Sequence, residues 1–136
     1  MKIYSKLFIA VSFTILLSGF SANLYSQSLQ FCEDVTSDGI PIKASSVFNI
    51  SSKGGFLKCL TSLPYRVGTN SVSYDIYNID YDGNEKYSNT IYQDVDASWT
   101  WFFKEITFYD EGRYNIYVYD ADRNFLASSQ IRIQYY

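Results

Sequence analysis

Two alternating runs meet head to tail across three turn-forming residues, and no other feature of this chain narrows its fold as much. Ile106 to Tyr109 ends the first run, Asp110-Glu111-Gly112 turns the chain, and Arg113 to Tyr119 is the second. Side chains of a strand point alternately to opposite faces, so such runs are strands with one buried face. Aromatic residues make up 19% of the 136-residue chain, with fourteen tyrosines. These residue types, together with Val, Ile and Thr, suit strands. Outside the N-terminal stretch no segment carries a sustained 3.6-residue apolar period, so the expected class is all-β.

Further runs fall at sandwich-like spacings. Leu29 to Val35 reads as a first strand or arm carrying Cys32, and Ser37-Asp38-Gly39 turns the chain ahead of Pro41. Ser46 to Ile50 alternates, with Phe48 and Ile50 on one face. Phe56 to Leu63 follows, with Leu57, Cys59 and Thr61 on one face and Phe56, Lys58 and Leu60 on the other. Ser71 to Ile79, Lys86 to Val95, Trp99 to Tyr109 and Phe125 to Tyr135 complete the series, which totals seven or eight strands.

The order Asp110-x-Gly112-x-Tyr114 resembles the E–F corner of immunoglobulin-like sandwiches, where a tyrosine ties the corner to upstream backbone. The resemblance implies an immunoglobulin-like antiparallel β-sandwich in which Asp110, Gly112 and Tyr114 form a structural corner. In that scheme Phe56–Leu63 takes the place of strand B, Ser71–Ile79 of C, Arg113–Tyr119 of F and Phe125–Tyr135 of G. Ile116 stands where an antibody domain has its second cysteine, and strand C has no tryptophan.

Residues 1–27 have the order of a secretory signal peptide: Lys2 and Lys6, an apolar core from Leu7 to Leu17, then small residues. The cut is expected between residues 21 and 27, leaving 28–136 as one domain with no stable membrane span. The protein is then exported, to a periplasmic, cell-surface or extracellular destination. Loss of Lys2 and Lys6, with no acidic residue, moves the net charge from −3 to −5. The remaining bases are scattered rather than striped, which argues against nucleic acid as a partner. By analogy with other exported chains of even cysteine count, Cys32 and Cys59 are expected to form a disulfide; two buried thiols are the alternative.

There is no histidine, so Ser-His-Asp and Cys-His machinery and the usual zinc sites are missing, and neither catalysis nor a cofactor is expected. Asp80, Asp82 and Asn84 have the opening spacing of a calcium loop, and Asp120, Asp122 and Asn124 repeat it. In the first, Gly83 falls too early and position twelve would be Ile91, so both read as hairpin turns rather than metal sites. The immunoglobulin strand order would let the two turns share one end of the sandwich.

The sharper constellation is aromatic. With Tyr114, Ile116 and Val118 inward, Tyr117 and Tyr119 point outward, and Tyr77 does so on the neighbouring strand. They are expected to surround Arg132 on the outer face and to form a binding surface, since tyrosine rings are large, stiff and amphipathic. A protein partner is favoured over carbohydrate. Trp99 and Trp101, two residues apart, share a face opposite core residues Phe102, Ile106 and Phe108. They are expected at an edge or under a loop, with a ligand platform as the weaker reading. The leading function is an immunoglobulin-like interaction module. A carbohydrate-binding module or accessory protein and a small outer-membrane β-barrel are the alternatives, the last suggested by the alternating C-terminus from Ile131 to Tyr136.

Overall fold

The computed structural model describes residues 27–136. The signal-peptide expectation falls almost entirely outside the described residues. Ten strands follow in order: β1 (Ser28–Cys32), β2 (Asp34–Val35), β3 (Pro41–Ile42), β4 (Val47–Ile50), β5 (Gly55–Ser62), β6 (Ser71–Ile79), β7 (Glu85–Asp94), β8 (Trp101–Phe108), β9 (Gly112–Asp120) and β10 (Phe125–Tyr135). They form a three-stranded sheet in the order β1-β5-β8 and a five-stranded sheet in the order β4-β10-β9-β6-β7, with β2 and β3 as a separate small hairpin. With β1, β5 and β8 in the places of strands A, B and E on one side, and β6, β9 and β10 in those of C, F and G on the other, this is an immunoglobulin-like β-sandwich. Two sheets with free edges are not the closed barrel that the alternating C-terminus suggested.

The core is the space between the two inner faces. Leu57 and Cys59 of β5, and Phe102, Ile106 and Phe108 of β8, meet Val72, Tyr74 and Ile76 of β6, Ile116 and Val118 of β9, and Ile131 and Ile133 of β10. Each large apolar side chain buried in this way contributes about 1.5–3 kcal/mol of transfer free energy. The alternation read in β9 is the one observed: Tyr114, Ile116 and Val118 are buried, and their neighbours are not.

Two features depart from the expected antiparallel scheme. The arm read from Leu29 to Val35 is not one strand. It breaks at Glu33, and β2 pairs back with β3 to form a hairpin folded over the outer face of the three-stranded sheet. Lys58 Nζ reaches Asp34 at 2.6 Å, and the hairpin turn at Gly39 lies against the ring of Trp101. This cover explains why Leu60, on the outer side of β5, is fully buried. The chain then crosses to the other sheet, where β4 runs parallel to β10, with Val47 opposite Arg132 and Ile50 opposite Tyr135.

The expected Cys32–Cys59 bridge is not made: both are free thiols, and both are buried. In the β1–β5 ladder Phe31 lies opposite Cys59, and Cys32 lies opposite Lys58. Directly opposed residues share a face and neighbours alternate, so Cys59 points into the core and Cys32 points out under the hairpin. Side chains directed apart cannot be bridged without moving the backbone. Burial raises the pKa of both thiols.

Candidate functional site

Strand alternation builds the site on the outer face of the five-stranded sheet. On β6 it brings out Ser73, Asp75 and Tyr77; on β9, Asn115, Tyr117 and Tyr119; on β7, Tyr92, Thr90, Tyr87 and Glu85. Tyr77 stands at the centre of an aromatic row. Its ring meets Tyr117 at 5.5 Å and Tyr87 at 5.7 Å, edge to face in both cases. Tyr119 continues the face to Phe125 at 6.2 Å. The three tyrosines read from sequence are therefore on one face, and Tyr77 touches Tyr117. All three are only partly exposed; Tyr87 and Tyr92 stand proudest, at 56% and 70% exposure.

The arginine beside these tyrosines is Arg123, not Arg132, which lies on the same face but further along it. Arg132 pairs with Arg113 on β9, whereas Tyr117 lies opposite Ser128 on β10. At about 3.3 Å per residue, that puts Arg132 some 13 Å along the strand from Tyr117. Arg123 belongs to the β9–β10 turn. Its guanidinium lies 4.2 Å from the centroid of Tyr119, donates to Ser73 Oγ at 3.0 Å, and binds Asp75 Oδ2 at 2.7 Å. Asp75 is only 5% exposed, and Thr90 Oγ1 donates to it from the other side at 2.8 Å. Arg123, and after it Thr90, hold the Asp75 carboxyl below the usual carboxylate range despite burial.

The geometry of the turn explains how an arginine comes to lie there. The two Asp-x-Asp-x-Asn segments form the same turn. Asp80 Oδ1 accepts from the N–H groups of Asp82 and Asn84, and Asp120 Oδ1 does so from those of Asp122 and Asn124. Both carboxylates thus cap their own loops, and among the described residues no acidic or cysteine group clusters as a metal site would need. The fourth position has positive φ in both turns: 84° at Gly83 and 64° at Arg123. A left-handed non-glycine residue costs roughly 1–2 kcal/mol, and such outliers gather at functional sites. Here the conformation returns the side chain over β6 to Asp75. The turns do not share an end of the sandwich. Val72 lies opposite Asp120 and Ile79 opposite Arg113, so β6 and β9 run antiparallel and carry their turns to opposite ends.

Glu85 closes the face at the other end, accepting from both Asn115 Nδ2 and the hydroxyl of Tyr117. That bond, then burial, raises the Tyr117 phenol to about 12. Tyr114 sits on the inner side, its hydroxyl donating to the Asp110 carbonyl at 2.7 Å and its ring 5.0 Å from Phe108. It is a corner and not part of the face.

Trp99 and Trp101 reach one recess from different elements. Trp99 lies in the loop before β8, its N–H bonded to Asp96 O, while Trp101 opens the strand beneath Gly39. They border an open recess of about 560 Å³ that also includes Gln93 and Phe103. Gln93, unmarked in the sequence, links the sheets there: it accepts from the Tyr74 hydroxyl at 2.6 Å and donates to Phe103 O at 2.8 Å. Tyr87, Tyr92 and Arg123 also belong to the candidate face and were not singled out in the sequence. Alternation in Lys86–Val95 could have found only one of the first two: five residues apart, they share a face because the register with β6 slips at Ser88.

No family model matches the chain, and no curated protein matches it in sequence. Among solved structures, the chain is similar to an immunoglobulin-like protein from Pseudomonas aeruginosa, at 12% identity and a TM-score of 0.49, over 83% of this chain and 100% of that one. It is also similar to a superoxide reductase (neelaredoxin) from Ignicoccus hospitalis, at 5% identity and a TM-score of 0.41, over 82% and 81%. The strand order and the tyrosine corner make the chain itself an immunoglobulin-like β-sandwich.

Proposed function

We propose that this protein is an exported, non-catalytic interaction module that binds a protein partner through the outer face of its five-stranded sheet. One observation carries the reading. A continuous row of aromatic rings, Tyr87-Tyr77-Tyr117, lies beside a buried carboxylate whose arginine partner is held over Tyr119. Binding energy at protein interfaces concentrates in tyrosine, tryptophan and arginine anchors. The ordering here is already made, because hydrogen bonds and edge-to-face packing hold these side chains in place before any partner arrives. Acidic residues are used to cap turns, as at Asp80, Asp96 and Asp120, which supports a non-catalytic role.

The ring geometry favours protein over sugar. A stacked sugar needs a ring presenting its flat face, and Tyr77 stands at 73° and 89° to its two neighbours. Such a surface offers edges, hydroxyls and faces in alternation. Export rests on the sequence of residues 1–27, and mass spectrometry of secreted material tests it: an intact Met1 would sink the idea. For the face, a photo-crosslinking residue at Tyr92 should capture a discrete partner in cells making the protein, whereas one at Phe56, on the other sheet, should not. Tyr117→Ser with Tyr119→Ser should abolish the capture. Equal capture from both positions, or capture indifferent to the double substitution, overturns the reading.

A further inference from the structure

The two described sheets have four edges, and three of them are bonded, guarded by an inward charge or short. Along β1, the crossing chain bonds the edge, Ser45 N–H donating to Phe31 O at 3.0 Å. On β8, Lys104 points to the inner face opposite Cys59, and the Gln93 amide already occupies Phe103 O. An inward charge and a capped carbonyl are ways of stopping an edge from pairing. The third edge, β4, is four residues long.

The fourth edge, β7, is ten residues long and has no proline. Its register slips once, at Ser88, and from Asn89 to Asp94 the ladder with β6 is unbroken. Val95 N–H bonds to Asn70 O, so by antiparallel alternation Gln93, Ile91 and Asn89 turn their main-chain groups to β6. Those of Thr90, Tyr92 and Asp94 turn outward. An open row of donors and acceptors therefore runs along the border of the tyrosine face.

Charge and aromatic placement say what fits the row. From residue 80 to 96, Asp80, Asp82, Glu85, Asp94 and Asp96 face a single base, Lys86. None of the five has an ion-pair partner among the described residues. A strand laid against β7 would place side chains directly beside Tyr92 and Tyr87. The face already accepts one such group, the guanidinium of Arg123 over Tyr119.

We propose that β7 is the docking edge for the partner, which adds to the five-stranded sheet as an extended segment with lysine or arginine at alternate positions. The main-chain row supplies affinity, as in other strand additions. Tyr87 and Tyr92 then select cations through their ring faces, with Glu85 and Asp94 as counter-charges. The inference rests on the reading of this side of the molecule as a protein-binding surface and specifies the partner's chemistry.

The test uses three labelled octapeptides against the purified protein: alternating Thr-Lys, alternating Gly-Lys of equal charge but poor strand propensity, and alternating Thr-Glu. Fluorescence anisotropy reads affinity, and amide hydrogen exchange reads the site. The Thr-Lys peptide should bind at least about tenfold more tightly than Gly-Lys, the equivalent of one or two hydrogen bonds. Thr-Glu should not bind. On saturation with Thr-Lys, exchange should slow at the Thr90 and Tyr92 amides, which lie outside the β6–β7 ladder. Asp94→Pro removes an outward donor at an edge position that tolerates proline, and should weaken Thr-Lys binding further than Asp94→Asn does. Equal binding of the two basic peptides, or unchanged exchange at Thr90 and Tyr92, overturns the proposal. If that happens while crosslinking at position 92 still requires Tyr117 and Tyr119, the face reading stands and only the edge falls. If the crosslink is also indifferent to those tyrosines, both fall.

Discussion

Replacing Tyr114 by phenylalanine removes one oxygen from the corner that joins β8 to β9. The lost interaction is the hydroxyl's bond to Asp110 O at 2.7 Å. Its cost depends on what happens to the carbonyl left behind. Were that carbonyl dry, the loss would approach about 3 kcal/mol. Asp110 is an exposed residue, so water can take the vacated place, and about 1 kcal/mol is expected instead. The edge-to-face packing on Phe108 survives in Tyr114→Phe but not in Tyr114→Leu. The leucine variant should therefore lose about 2–4 kcal/mol, the hydroxyl together with the aromatic pair and part of a packed volume. Urea denaturation followed by tryptophan fluorescence reads both. For Tyr114→Phe the midpoint should fall by about 0.5–1 M with unchanged slope, and the melting temperature by about 4 °C. A Tyr114→Phe midpoint equal to wild type would mean that the hydroxyl does not tie the corner. A loss as large as that of Tyr114→Leu would mean that the carbonyl is not re-solvated.

Gly39→Ala should loosen the β2–β3 hairpin. The position has φ of 80°, and a Cβ there would meet the Trp101 ring at 2.6 Å, so about 1–3 kcal/mol of stability and a red shift of tryptophan emission are expected. Cys32 and Cys59 should resist a thiol reagent in the native protein and both titrate once it is unfolded without reductant; a single or absent thiol would contradict the register argument. Arg123→Gly relieves the left-handed backbone but leaves Asp75 buried without its cation. Asp75 has a depressed folded pKa in the wild type, so its stabilisation is present above the unfolded carboxylate range and is lost as pH falls through the folded value. In the variant, burial without the arginine disfavours the charged form. The unfolded carboxylate is the same in both proteins and cancels, so the stability gap should be wide at pH 7 and close as pH falls below about 4 through the depressed folded value of the wild type. A gap constant from pH 3 to pH 7, followed by chemical denaturation, would refute the role given to the pair.

Where the chain alternates cleanly, the sequence could be read almost to the residue. The bounds of β6 and β10 are those seen in the alternation itself, which a buried inner face enforces along β6 and, past a register shift at Leu126, along β10 from Ala127. The register of β9 was legible for the same reason, and with it the side on which Tyr117 and Tyr119 lie. Alternation says nothing about turns, and this is where the site was misjudged. Arg123 reaches Asp75 through a left-handed turn residue, a direction that no strand periodicity encodes; Arg132 is on the right face but too far along it. The first third of the chain was opaque for a different reason. Asp34–Val35 and Pro41–Ile42 are too short to show a period, and their packing over Cys32 and Leu60 depends on contacts remote in sequence. The bridge to Cys59 was expected from export and an even cysteine count, neither of which says which way Cys32 points.

The parallel ladder between β4 and β10 has a mechanical consequence. Tension drawn through the residues before Val47 and after Tyr135 pulls these two strands in opposite directions along their length. The bonds between them are then loaded together, in shear, and must fail as a group. Tension applied through the β6–β7 turn instead would open the hairpin from one end, one bond after another. A chain stretched across these two strands would thus meet the load with a seam that fails as a group, while the sheet edge at β7 stayed outside the line of force.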